Sequence, residues 1–246
     1  MSQALLADGP RYATYLVEVL VCALLVWRGI WRHAKVLCLY VGSLFLLDGV
    51  GRSFVLNLYG LDSTQYACFY WVTDFALAVG AFLLVCALFH RACAHEQKMW
   101  SLVRRLLALV FVLVAGISSV TLFRNYDQLA KTRFAFEFSQ NLYFTCLILI
   151  TLLYVMIQQY AIEDDGLSLL VGGFGIQFAG QAACFALINL APHEGYAVRI
   201  NDLVAPSCSL AMLLIWAYAI AKTPQEAPAR LRASGGRALV GVTADS

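Results

Sequence analysis

Seven long apolar stretches run almost end to end through this 246-residue chain. Each holds about 20 to 26 residues, and a helix of about 20 residues is long enough to cross the hydrocarbon core of a bilayer. The spans are expected at 12–32, 34–59, 66–90, 101–123, 134–158, 166–191 and 198–222. The predicted fold is therefore an all-α membrane protein, a bundle of seven transmembrane helices over residues 12–222.

Composition agrees with a lipid environment for most of the chain. Hydrophobic residues make up 61% and charged residues 13%, against about 45–50% and about 25% in an ordinary soluble domain. Residues 1–11 lack the basic segment and the cleavage site of a signal peptide, so the first apolar stretch is a span that stays in the protein. Residues 223–246 hold too little apolar mass to order themselves and are predicted to form a disordered tail.

The distribution of basic residues predicts the orientation, because Lys and Arg near span ends are retained in the cytoplasm. Of the 17 basic residues, eleven fall on the side of the chain's C-terminal end and five on the other side, with Arg52 inside a span. The acidic run 163–165 lies on the basic side, but acidic residues contribute little to this rule. We expect an extracytoplasmic N-terminus of residues 1–11, a cytoplasmic tail and a multi-pass protein of the bacterial cytoplasmic (inner) membrane.

Ionisable and amide side chains occur within the spans, where each ionised group costs about 2.5–3.5 kcal/mol. Helix direction and a rise of about 1.5 Å per residue place all of them at the midplane or in the outer half. Those on inward-running spans come within about two turns of the outer surface. The set, in chain order, is Glu18, Asp48, Arg52, Tyr70, Asp74, Glu137, Asn141, Gln177, Gln181 and Asp202. The inner half is almost purely aliphatic and aromatic.

The spacing of these residues indicates a shared interior. Asp48 and Arg52 lie four apart on one helix face, an order that favours an ion pair. The same spacing recurs for Tyr70 and Asp74, for Glu137 and Asn141, and for Gln177 and Gln181. A structural network that only fixes which helices are neighbours is an equal alternative. Hydration is the simpler interpretation for the two acids nearest the surface, Glu137 and Asp202.

Small residues and a proline mark the last two spans. Gly175, Ala179 and Ala183 form one ridge of small residues, which favours close packing inside the bundle over a homodimer interface, although the motif serves both. Pro206 removes a helical hydrogen bond from the carbonyl of Asp202 and predicts a kink.

Several chemistries are excluded or disfavoured by the sequence. The seventh span lacks the buried lysine that a retinal protein needs, and its only lysine is Lys222 at the inner end. No histidine lies inside a span, which argues against an intramembrane zinc enzyme. No hydrolase or nucleotide-binding motif is present. Basic residues are scattered rather than gathered on one face. We therefore predict no catalytic residues, no metal or other cofactor, and no nucleic-acid partner.

The chain resembles a family of uncharacterised seven-span bacterial proteins, many of them from soil organisms. The likeness covers about residues 12–222 and lies in Phe69-Tyr70-Trp71, Arg104-Arg105, Gly172 to Gly175, and Ile215-Trp216 with Tyr218. Family members often carry an acid toward the inner end of the third span, where this chain has Cys86-Ala-Leu-Phe. The resemblance implies a seven-helix fold and assigns no functional residues.

These observations favour a sensor or receptor-like module. Its outward-open pocket would bind a small polar ligand, and helix movement would signal occupancy to a separate cytoplasmic partner. The pocket residues expected are Glu18, Asp48, Arg52, Asp74 and Gln181. A small-solute transporter, proton-coupled through Asp48 or Asp74, is the first alternative. A structural membrane subunit is the second, and contacts with membrane lipids are expected in every case.

Overall fold

The computed structural model describes residues 2–29, 34–60, 63–94, 97–124, 129–160, 164–190 and 195–222. All regular structure in these ranges is helical. We number the seven helices α1 to α7: Ser2–Trp27, Lys35–Tyr59, Thr64–Ala92, Gln97–Arg124, Leu129–Gln159, Asp165–Leu190 and Gly195–Lys222.

Six of these helices, α2 to α7, are long and apolar enough to cross a membrane. This confirms an all-helical chain with the character of a multi-pass membrane protein. The first helix differs from the prediction at both ends. It begins at Ser2, before the expected residue 12, and it ends at Trp27, where Gly29 takes a left-handed backbone with φ 67°. Its apolar part, Ala13–Trp27, is shorter than the other six.

Six helices form a closed ring, and α4 lies outside it. Around the ring α1 packs against α2, α2 against α3, α3 against α5, α5 against α6, α6 against α7, and α7 against α1. In the described part of the chain α4 packs only against α5 and, over a smaller area, against α3. Most of its large apolar residues are therefore exposed: Leu102, Leu106, Leu109, Val112, Leu113, Ile117 and Val120.

The middle of α2 is a π-helix, Leu44–Gly51, between two α-helical segments. The widened turn ends where the N–H of Arg52 donates to the carbonyl of Leu47, five residues earlier. Two glycines in this segment let neighbouring helices approach. A Cβ at Gly51 would lie 2.9 Å from Cζ of Phe69 on α3, and one at Gly49 would lie 3.5 Å from a Glu18 carboxylate oxygen on α1. The π-helix therefore brings the backbone of α2 against both neighbours at the level of Asp48.

Polar contacts join the helix ends at the face where α7 ends, which we call the tail face. Arg91 at the end of α3 pairs with Asp164 at 2.8 Å, and Lys222 pairs with Asp165 at 2.7 Å. Asp164 also caps α6, because its Oδ1 accepts from the N–H of Leu167 at 3.0 Å. Two members of the acidic run that opposed the charge trend are thus the partners of basic residues on the same face.

An aromatic cluster fills the ring on the tail-face side. It consists of Tyr40, Phe174, Phe178 and Trp216, all almost completely buried. The ring of Phe174 packs edge-on against Trp216 at 4.8 Å and stacks on Phe178 at 4.9 Å. The indole N–H of Trp216 donates to the carbonyl of Leu170 at 3.1 Å. Its ring lies against Gly173, where a Cβ would be 2.9 Å from Nε1.

The small-residue ridge of α6 packs inside the bundle only at Gly175, where a Cβ would lie 3.8 Å from Ile150 of α5. Ala179 and Ala183 are exposed. The close approach between α6 and α7 is made instead by Gly173 at Trp216 and by Gly180 at Cys208. The prediction identified the right helix, but a different face of it approaches α7, because sequence spacing does not define which side of a helix faces its neighbours.

Pro206 lies inside α7 without ending it. The hydroxyl of Ser207 donates to the carbonyl of Leu203 at 2.7 Å, and that of Ser209 donates to the carbonyl of Ala205 at 3.1 Å. Thr14 on α1 donates to the carbonyl of Pro206 itself at 3.3 Å. Neighbouring hydroxyls therefore bond backbone carbonyls around the proline, as is common where proline occurs in a membrane helix.

Candidate functional site

Three charged side chains meet between α2 and α3, and we call Asp48, Arg52 and Asp74 the charge cluster. The Arg52 guanidinium lies 2.5 Å from a carboxylate oxygen of Asp48 and 4.0 Å from one of Asp74. The side chains of Arg52 and Asp74 are only 16% and 20% exposed. The predicted pair of Asp48 and Arg52 is thus present, and Asp74 extends it to a second helix.

An aromatic pair covers the guanidinium. The Tyr70 ring, one turn before Asp74 on α3, lies 4.3 Å from the Arg52 guanidinium carbon, within cation–π distance. Trp71 packs edge-on against Tyr70 at 5.3 Å. The aromatic and acidic stretch seen in the sequence therefore does form one side of the polar site.

Glu18 on α1 adds a third carboxyl group to this region. It is 2% exposed, it interacts electrostatically with Asp48, and its Oε2 has no hydrogen-bond partner within the described residues. Two carboxylates, those of Asp48 and Asp74, contact the Arg52 guanidinium, and the Glu18 carboxyl lies beside Asp48. Burial of an unpaired carboxylate is costly, so this arrangement favours a positively charged or hydrogen-bond-donating group beside Glu18.

Buried polar atoms without a partner concentrate among the predicted site residues. Within the described residues these atoms are Glu18 Oε2, Arg52 Nε, Ser139 Oγ and Gln177 Oε1. The Ser139 hydroxyl lies beside the Asp74 carboxylate, although its geometry falls short of a standard hydrogen bond. Each such atom costs about 1–3 kcal/mol if it stays unsatisfied. Ordered water or a polar ligand normally satisfies such atoms in proteins.

Two tyrosines, the buried Tyr40 and the half-buried Tyr143, lie near the charge cluster. The Tyr40 phenol interacts electrostatically with Asp48, Glu18 and Asp74, while its ring packs against Phe174 at 5.6 Å and Trp216 at 6.2 Å. Tyr143 on α5 interacts with Asp74 and Arg52. Tyr40, Ser139 and Tyr143 were not among the predicted site residues. Each has a polar group on an otherwise apolar helix, and that was the only signal in the sequence.

Other predicted residues lie apart from the charge cluster. Asn141 on α5 donates to the Ser118 hydroxyl of α4 at 3.3 Å. Glu137 and Gln181 are half-buried on α5 and α6. In the described part of the chain no hydrogen bond or ion pair joins Gln181 to the cluster. Asp202 falls within the backbone of α7, and its side chain lies outside the described residues.

Glu18 lies level with Asp48 in the bundle, whereas the sequence predicted that it lies nearer the face opposite the tail. The first helix ends at Trp27, so Glu18 lies only nine residues, or about 14 Å, from its tail-face end. Contact with Gly49 places it level with Asp48 near the middle of α2 rather than within two turns of the opposite surface. The acids of α1 and α2 therefore share one layer of the bundle.

Comparison with known proteins gives no assignment: no family model, no curated protein and no solved structure matches the chain. The resemblance to a bacterial seven-span family stays a prediction. The function is therefore inferred from the chemistry of the charge cluster.

Proposed function

We propose that this chain is a seven-span sensor of the bacterial inner membrane, with its tail face in the cytoplasm. The charge cluster and Glu18 bind a small polar ligand that enters from the opposite face. The observation that carries the proposal is the buried Glu18 carboxyl, which has an unpartnered oxygen and lies beside Asp48. The orientation is supported by the basic residues Arg28, Arg91 and Lys222 at the helix ends of the tail face.

The charges around the site define the ligand's chemistry. Arg52 contacts Asp48 and Asp74, and Glu18 beside Asp48 has an oxygen without a hydrogen-bond partner among the described residues. This favours a ligand with a protonated amine or several hydrogen-bond donors. Such a group satisfies Glu18 Oε2 and compensates the excess of acids. The Arg52 Nε atom and the Ser139 hydroxyl offer further hydrogen bonds to a polar part of the same molecule.

The aromatic cluster supports a one-sided site. Tyr40, Phe174 and Trp216 are packed and buried between the charge cluster and the tail face. A transporter needs a path through both halves of the bundle, and this packing lies across it. A receptor needs access from one side only.

Tyr40 supplies a route for the signal. It interacts with the acids of the site and packs against Trp216, and Trp216 lies on the helix that ends at Lys222 on the tail face. A positive group bound near Glu18 changes the electric field at the Tyr40 hydroxyl, and with it the packing of the Tyr40 ring against Trp216. A separate cytoplasmic partner then recognises the altered end of α7 or the tail.

Cysteine accessibility tests the proposal and both alternatives. Single cysteines are introduced at Leu47, next to Asp48, and at Asp74 within the charge cluster. Two more are introduced at Leu84 and Leu213, which are buried in the tail-face half of the bundle. The chain used has its eight native cysteines replaced. A membrane-impermeant thiol reagent is then applied from each side of sealed vesicles. We expect positions 47 and 74 to react only from the face opposite the tail, and positions 84 and 213 not to react.

The other outcomes distinguish the alternatives. Reaction of positions in both sets, each from its own side, supports a transporter and contradicts the sensor. Absence of reaction at all four positions supports a sealed structural subunit. Labelling of positions 47 and 74 from the tail face alone contradicts the proposed orientation.

A further inference from the structure

A narrow apolar crevice separates α3 and α4 and does not touch the charge cluster. It encloses about 260 Å³ between Phe82 and Cys86 on α3 and Leu107 and Phe111 on α4. It exists because α4 lies outside the ring and packs mainly against α5. The two helices that border the crevice therefore touch along only part of their length.

The surface of the crevice is wholly apolar, and its end nearest the tail face is bordered by an aromatic and a basic residue. Trp100 and Arg104, both in the first two turns of α4, line it there. The Trp100 ring is held edge-on against His90 of α3 at 4.6 Å. Tryptophan is enriched at the depth of lipid headgroups, so this end of the crevice lies where a phosphate would be found.

Arg104 has no ion-pair partner among the described residues, although it lines the crevice. The helix Gln97–Arg124 contains no Asp or Glu at all, whereas Lys98, Arg104 and Arg105 are in its first nine residues. The acid nearest in sequence is Glu96, which precedes the helix and lies outside the described residues. Among the described residues that line the crevice, Arg104 is thus a basic side chain and none is acidic.

We propose that this crevice binds one acyl chain of an anionic phospholipid, with the lipid phosphate at Arg104. From Trp100 to Phe111 the crevice runs about 17 Å along α4, which accommodates most of a fatty acyl chain. A long arginine side chain reaches toward the headgroups while its aliphatic part covers apolar surface. Basic pockets between transmembrane helices on the cytoplasmic side bind anionic headgroups in this way.

The shape and the charge together select this occupant. A second copy of the chain would present a helix about 10 Å wide, which is much larger than the crevice volume of about 260 Å³. A zwitterionic lipid would leave the positive end without a net negative partner. The proposal does not depend on the proposed sensor function, because it uses other residues and another pair of helices.

Photo-crosslinking tests the site. The purified full-length protein is incubated with phosphatidylglycerol that carries a diazirine in one acyl chain, and crosslinked peptides are mapped by mass spectrometry. We expect crosslinks in residues 79–86 and 104–111. With Arg104→Gln we expect the yield at subsaturating lipid to fall about fivefold, equivalent to about 1 kcal/mol for one basic residue near the headgroups.

Two matched controls separate a site from general attraction. Arg105→Gln removes the same charge one position away, and a fall as large as that of Arg104→Gln overturns the role of Arg104. Ala108→Phe fills the crevice and should abolish these crosslinks, while Leu109→Phe on the exposed face of α4 should not. Equal yields for phosphatidylglycerol and phosphatidylcholine contradict recognition of the anionic headgroup. If Ala108→Phe does not fold, the comparison of the two arginine variants decides.

Discussion

Arg52 on α2 and Asp74 on α3 join two helices by charge inside an otherwise apolar bundle, with 4.0 Å between the guanidinium and the carboxylate. The contact is longer than that of Arg52 with Asp48 on its own helix, at 2.5 Å. Arg52 therefore serves two acids at once. The stability of α2 against α3 and the binding chemistry of the site depend on the same side chain.

Because two acids share Arg52, removing a charge from the cluster should change the stability of the protein by an amount that depends on which residue is replaced. Arg52→Gln leaves two half-buried acids without their cation. It should destabilise the protein by less than the cost of about 3–5 kcal/mol for a fully buried pair, and Asp48→Asn should cost less still, because Arg52 stays paired with Asp74. In the double variant one of the uncompensated acids is gone, so it should be more stable than Arg52→Gln alone. Unfolding by denaturing detergent, followed by circular dichroism, measures all three variants.

Arg105→Gln is the control for this series, because Arg105 is exposed and should tolerate the change. A double variant no more stable than Arg52→Gln would show that the two residues are not coupled as the geometry indicates.

Glu18→Gln should raise thermal stability, because it removes a buried acid beside Asp48 and keeps the shape of the side chain. The same change should abolish ligand binding if a positive group contacts Glu18. Thermal unfolding of both proteins is measured with a panel of small primary and quaternary amines. A compound that stabilises the wild type should leave Glu18→Gln unaffected, and Glu137→Gln should respond like the wild type. Equal stabilisation of wild type and Glu18→Gln would count against Glu18 as a ligand contact.

Two adjacent glycines of α6 should respond oppositely to substitution by alanine. A Cβ at Gly173 would lie 2.9 Å from the Trp216 indole, whereas one at Gly172 would meet nothing within 4 Å. Gly173→Ala should therefore destabilise by about 1–3 kcal/mol through overpacking. Gly172→Ala should be neutral or stabilising by up to about 1 kcal/mol, since alanine favours helix. The free energy of unfolding of each variant is measured in denaturing detergent. Equal changes in the two variants would show that the Trp216 indole is not held against Gly173.

Substitution of the two adjacent acids at the start of α6 should change the stability of the protein by different amounts. Asp164 caps the helix and pairs with Arg91, so Asp164→Ala should cost about 1 kcal/mol from the lost cap. Asp165 pairs with Lys222 on an exposed surface, where ion pairs contribute little. Asp165→Ala should have the smaller effect on the thermal midpoint. The reverse order would mean that the cap does not stabilise α6.

Hydropathy predicted the helices well for a simple reason. A backbone in lipid must satisfy its hydrogen bonds within its own segment, so a long apolar stretch forms a helix whatever its neighbours are. The structure confirms six helices of spanning length and character. The Asp48–Arg52 pair was also predictable, because side chains four residues apart on one helix lie on the same face whatever the neighbouring helices are. The end of α1 at Trp27 was missed because the apolar pattern continues past it.

Relations between helices were decided only by the tertiary structure. The sequence predicted that Glu18, Asp48, Arg52 and Asp74 share a pocket. It did not indicate that α4 leaves the ring, that Asp74 contacts Arg52 directly, or that Glu18 lies level with Asp48. These depend on how each helix is rotated and on which glycines permit close approach, as Gly49 does beside Glu18. The sequence by itself determined which segments are helical and which side chains are too polar for lipid. The packing of the helices decided which of those side chains meet, because residues far apart in the chain are brought together only by the fit between surfaces.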